Sequence, residues 1–90
     1  MKAQIGTHVQ VRVDPRQNKG LDTAVGLVTR VHENDDDAPR TVNVRVFLDN
    51  GMDFRFTDIQ LLDKEPESDD NDVPRDASGT QQAAWFLRNR

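Results

Sequence analysis

The chain has no cysteine and no tyrosine, and it carries one tryptophan and four phenylalanines in 90 residues. Without cysteine, disulfides and thiolate metal sites are excluded. With so few rings, an aromatic cage for a quaternary ammonium, which needs several exposed rings, cannot be assembled from the sequence. The same shortage argues against a groove for proline-rich ligands. No stretch is long or apolar enough to span a membrane. The start, MKAQIG, lacks the apolar run of a signal peptide, so a soluble, intracellular protein is expected.

Catalytic constellations are scarce too. A nucleophile needs an oriented base within reach. The two serines, Ser68 and Ser78, fall in a stretch that reads as linker, and His8 and His32 sit at outward parity on strands. Two histidines are too few for a catalytic zinc site, which takes three protein ligands. The acidic run Glu33, Asp35, Asp36, Asp37 lacks the D-x-D-x-D-G spacing of a calcium loop. The expectation is a protein with no enzymatic activity, no cofactor and no metal.

The net charge is −4, unevenly spread. Residues 1–32 carry five Lys or Arg against two Asp, and residues 63–72 carry six acids against Lys64. An acidic chain makes a poor general nucleic-acid binder, because that affinity comes mostly from neutralising phosphates. The basic first third still offers a local patch of Lys2, Arg12, Arg16, Lys19 and Arg30.

What is present is β patterning. Val42, Val44, Val46 and Leu48 alternate with Asn43, Arg45 and Phe47, and after Asp49-Asn50-Gly51 the alternation resumes with Met52, Phe54 and Phe56. Two hairpin registers are open. A two-residue Asn50-Gly51 turn sets Val46 against Arg55 and mixes apolar with charged groups on each face. A three-residue loop with Gly51 left-handed pairs Leu48 with Met52, Val46 with Phe54 and Val44 with Phe56. The second puts seven apolar side chains on one face, each worth roughly 1.5–3 kcal/mol on burial, and is expected. It also sets Arg45 against Arg55 on the outer face, which is unfavourable unless Asp53 or Asp58 screens them. The alternative use of that pair is a small cationic spot for an anionic partner.

Ile5 to Val13 alternates as a first strand, ended by Asp14-Pro15. DPRQNKG comes next as a loop, with Leu21 expected to pin it to the core. Ala24 to His32 is a second strand, and Gly26 within it signals a bulge or bend. Thr57-Asp58 reads as a turn and Ile59 to Leu62 as a short closing strand. Five short strands without helical periodicity point to an all-β, small five-stranded SH3-like barrel over residues 1–62. Closure removes the sheet edges.

Residues 63–79, with two prolines, a single Val and a run of acids, read as an acidic linker. Residues 80–90 read as a Trp-containing C-terminal anchor in which Ser78-x-x-Gln81 is a capping-box candidate for a short helix. Trp85, Phe86, Leu87 and Arg88 have the chemistry of an interface hot spot. Trp85 either folds back on its own barrel, over Phe47, or docks on another chain, and the second is the expectation. Phe47, an aromatic on a polar face, is a second contact candidate, beside Arg45 and Arg55.

Taken together, AVGLVTRVH, TVNVRVFLDNG, TDIQLL and a late Trp before terminal arginines resemble small SH3-like barrel proteins of tailed phages and prophages. The likeness covers residues 24–62 and the vicinity of Trp85. Those proteins often close with Trp-x-Trp-Pro and an arginine, where this chain has Trp85-Phe86-Leu87-Arg88. The resemblance implies a non-enzymatic, protein-binding virion or accessory subunit in a decoration, minor capsid or connector-type role. Its partner would be a capsid or other virion subunit, met in the host cytoplasm or in the virion. Gly26, Val28 and Val31 also match the looser G-x-V-x-x-V pattern of KOW and Tudor-like barrels, which implies a nucleic-acid-associated alternative.

Overall fold

The computed structural model describes residues 4–32, 40–48 and 51–87. Five strands form a closed barrel: β1 (His8–Arg12), β2 (Thr23–His32), β3 (Thr41–Phe47), β4 (Asp53–Leu62) and β5 (Ala83–Phe86). It is an all-β barrel consistent with the SH3-like class. Neighbours pair antiparallel around the ring except β4 and β5, which are parallel. The interior is filled mainly by Val9, Val11, Val28, Val42, Val44, Val46, Leu48 and Ile59, with Ala84 of β5 among them.

The hairpin takes the register that buries its apolar face. Val44 pairs with Phe56, Val46 with Phe54, and the Leu48 N–H donates to the Met52 carbonyl at 2.9 Å. Gly51 sits at φ 87°, a left-handed conformation open to glycine without a Cβ clash. Residues 49–50 of the loop lie outside the described residues. Not every member of the face is equally covered. Met52, just before β4, is exposed, and Phe54 and Phe56 are half-buried.

Two bulges bend the sheet; one is not at Gly26, where the sequence placed a bend, and the other falls where it placed a turn. Gly26 pairs regularly with Val9 and Val46, while the extra residue in β2 is Thr29, between the Val28–Val44 and Arg30–Asn43 pairs. An extra residue flips the parity of the residues beyond it. Val28 therefore faces the core before the bulge and Val31 packs against it after. Gly26 is small for another reason. A Cβ there would stand 3.1 Å from the Arg45 carbonyl oxygen and 3.2 Å from a Val11 methyl. The second bulge replaces the expected Thr57-Asp58 turn, so β4 runs unbroken to Leu62. Asp58 takes φ 59° there; its N–H donates to Asn43 Oδ1 at 2.9 Å and its carboxylate accepts from Thr41 Oγ1 at 2.7 Å.

The first strand begins later than its alternation suggests. Ile5 is exposed, and Gly6 turns the chain before His8. Leu21 is exposed as well and pins nothing. The loop is held instead by buried Asn18, whose amide donates to the Leu21 and Thr23 carbonyls, beside a 3-10 turn at Pro15–Gln17 capped by Asp14. A polar side chain does the pinning because loop carbonyls need donors once they leave water.

The fifth strand is not Ile59–Leu62 but Ala83–Phe86, and this revises the division at residue 62. β5 pairs with β1 through Val9–Phe86, Gln10–Trp85 and Val11–Ala84, and with β4 through Gln60–Ala83, Leu61–Ala84 and Leu62–Trp85. Parallel neighbours cannot be joined by a tight turn; they need a crossover of a dozen residues or more. Residues 63–82 are that crossover. They pack on the barrel with Val73 and Gln81 buried, rather than extending as a linker. Ser78 caps no helix. It lies in a turn held by Asp76, whose Oδ1 accepts from the Ser78 N–H, Ser78 Oγ and the Thr80 N–H.

Candidate protein-binding face

The strand registers align outward residues into rows across the barrel. One row runs Trp85, Gln10, Val25, Phe47, Asp53 from β5 through β1, β2 and β3 to β4. The next runs His8, Leu27, Arg45, Arg55. The first row is roofed at one end and bare at the other. Trp85 is only 2% exposed, whereas Val25 is 44% and Phe47 46% exposed.

The roof is built around Arg12, which shares the outer side of β1 with Gln10 and is 7% exposed. Its guanidinium carbon lies 5.0 Å from the centre of the Trp85 ring, within cation–π range. Arg12 Nε donates to Gln81 Oε1 at 3.1 Å, Nη1 to Asp22 and Glu65 at 3.2 and 3.1 Å, and Nη2 to the Pro66 carbonyl at 2.9 Å. Gln81 Nε2 in turn donates to the Glu67 carbonyl at 2.8 Å. Trp85 Nε1 donates to Gln10 Oε1 at 3.0 Å, which settles its one polar group. These bonds clamp the crossover over the Trp ring.

Trp85 is therefore an outward residue buried beneath the chain's own crossover and not an accessible anchor; nor does it cover Phe47. Phe86 and Leu87 are half-buried, Phe86 within β5, and Arg88 lies outside the described residues. The six predicted contact residues that are described separate into two groups: Phe47, Arg45 and Arg55 share the bare part of the outer face, and Trp85, Phe86 and Leu87 do not join them.

On that face Arg45 is ion-paired with Asp53, which screens the Arg45–Arg55 opposition. The Arg45 guanidinium holds the Asp53 carboxyl below the usual carboxylate range. Arg55 has no carboxylate partner among the described residues. Beside the arginines is a pocket of 340 Å³ lined by Thr29, Asn43, Val44, Arg45, Arg55, Phe56 and Thr57, with two cations and no acid. The two bulges, at Thr29 and Thr57-Asp58, flank Asn43 on either side and shape it. Asn43 Oδ1 also faces His32 Nε2 at 2.8 Å. Sequence reasoning missed Val25 because its partner depends on the β2–β3 register. Once Val25 is set opposite Phe47, the two form an exposed apolar pair next to a cationic pocket.

The basic patch suggested for nucleic acid is largely spent on internal contacts. Arg12 is buried, and Arg16 is paired with Asp14 at 2.9 Å, which lowers the Asp14 pKa. Lys19 and Arg30 are exposed, and Lys2 lies outside the described residues. Among the described residues no three His, Cys, Asp or Glu side chains gather as a metal site. Comparison with family models, curated proteins and solved structures gave no match.

Proposed function

We propose that this chain is a non-catalytic protein-binding barrel that engages its partner through Val25, Phe47, Arg45 and Arg55. The observation that carries the reading is the exposed Val25–Phe47 pair set in the barrel sheet beside the cationic pocket. An exposed aromatic flanked by arginine is the chemistry of interface hot spots. The partner it fits presents a large apolar side chain followed by an acidic group, the first on Val25 and Phe47, the second at Arg55. The resemblance to phage SH3-like barrels supports a structural or accessory role in a virion, with a capsid or connector subunit as the partner.

The test is photocrosslinking in source lysate with and without nuclease, with a benzophenone residue at position 47 and, as control, at exposed Lys64. The expected result is one protein adduct from position 47, lost on adding Arg55→Glu. Equal adducts from both positions, or an adduct that disappears with nuclease, would overturn the reading; the latter would favour nucleic acid.

A further inference from the structure

A second cleft, of 360 Å³, opens at the end of the barrel between the strand ends and the 76–80 turn. Its lining differs in kind from the pocket at Arg55. Val13, Leu48, Phe54 and Phe56 supply an apolar floor, and Asp14 and Asp76 stand on the lining with Gln17, Ser78 and Thr80, without any Lys or Arg. Phe54 and Phe56 belong to the apolar face of the hairpin by parity, yet they stay half-buried because this end of the barrel is not closed over them.

The two carboxylates are placed differently. Asp14 is ion-paired with the largely exposed Arg16, which donates to both carboxylate oxygens and is not among the lining residues, so part of its charge is already offset. Asp76 spends Oδ1 on the Ser78 and Thr80 donors, leaving Oδ2 without a bond among the described residues. Burial raises the Asp76 pKa, the bonds from Ser78 and Thr80 outweigh it so that the net shift is downward, and the charge of Asp14 adds a smaller upward push. The two acids thus sense each other across the cleft, and both are ionised at neutral pH.

We propose that this cleft binds a basic side chain of a partner protein, with the hydrocarbon stem on Phe54, Phe56 and Leu48 and the cationic head at the unbonded Oδ2 of Asp76, with Asp14 on the same lining. Long basic side chains bury their stems on apolar surface while the charge stays at a polar rim. Ring faces also attract the cation. An acidic or neutral group gains nothing from the unbonded Asp76 oxygen, so the charge of the lining, which holds two carboxylates and no Lys or Arg, selects the occupant. This site shares Phe56 with the pocket at Arg55 but not Val25 or Phe47, and stands or falls without them.

The full chain is titrated with the peptides Ac-Ala-Lys-Ala-NH2 and Ac-Ala-Nle-Ala-NH2 and followed by NMR of methyl and aromatic groups. The lysine peptide is expected to shift Val13, Leu48, Phe54, Phe56 and Ala77, which also lines the cleft, saturably, and the norleucine peptide is not. Asp76→Asn keeps the Oδ1 acceptor that holds the turn but removes the charge, and should weaken the lysine peptide about threefold to fivefold, as for a partly exposed ion pair. Raising the salt should weaken it in the same direction. Equal shifts with both peptides, no saturable shift, or an affinity unchanged by both Asp76→Asn and salt would each overturn the proposal. Phe47→Asp serves as the outer-face control and should leave the titration unaltered.

Discussion

Replacing Trp85 with alanine separates a buried residue from an external anchor. Trp85 is 2% exposed, lies under the Arg12 guanidinium and is bonded to Gln10. Truncating a buried Trp to Ala costs about 3–5 kcal/mol in lost burial and residual cavity. A domain of this length has a total stability of roughly 5–13 kcal/mol, at about 0.05–0.15 kcal/mol per residue. For domains of 60–100 residues each kcal/mol moves Tm by roughly 4–8 °C, so the expected drop is about 12–40 °C. An exposed anchor would instead change stability by about 0.5 kcal/mol or less. The assay is urea unfolding followed by far-UV circular dichroism, since the mutation removes the only Trp. Fluorescence of the unmodified chain provides the companion reading, with blue-shifted emission that moves red in one transition with the dichroism. Trp85→Phe, which keeps a ring but loses the bond to Gln10, should fall between. A Trp85→Ala midpoint within about 0.5 kcal/mol of the parent would refute the burial of Trp85 beneath the crossover and return it to the surface.

Arg12→Ala removes the donors to Gln81 and Pro66 and the ion pairs to Asp22 and Glu65. Unsatisfied buried acceptors cost about 1–3 kcal/mol, and the loss should show first as faster amide exchange in residues 63–82, ahead of the barrel strands. Stability should also fall on acidification. The carboxyls of Asp14, Asp53 and Asp76 are all held below the ordinary Asp range by their hydrogen-bond donors in the folded chain, so the unfolded chain binds more protons than the folded one as the carboxylates titrate. Their contribution is complete above the unfolded value and is lost as pH falls through the folded ones. Chemical denaturation at pH 6, 4 and 3 should therefore show a steady loss below about pH 4, smaller in Asp76→Asn; equal stability at pH 6 and 3 would contradict it.

The hairpin could be read from one dimension because its two strands are adjacent in the chain. A single loop sets their register, and the wrong choice would expose the hydrophobic set of Val42, Val44, Val46 and Leu48. The same register brings Arg45 opposite Arg55 and leaves Phe47 outward, as the structure has them. The linker reading of 63–79 failed because composition measures how much apolar surface a segment can bury by itself. This segment is ordered by polar contacts with a residue far away in sequence, Arg12, and by the need of a parallel β4–β5 pair for a crossover. Trp85 was recognised as a residue that must be buried against something. Which surface covers it depended on the β1–β5 register, which no local pattern encodes.

Alternation along neighbouring strands was enough to establish the all-β class, the register of β3 and β4 and the outward placement of Phe47, Arg45 and Arg55. The folded barrel was needed to learn which strand closes it, which end of the Trp85–Phe47 row is roofed, and that Val25 joins Phe47 while Asp14 and Asp76 line one cleft. Those are pairings between segments not joined by a short turn, where loop length and the whole set of barrel registers select the neighbour and a local pattern does not.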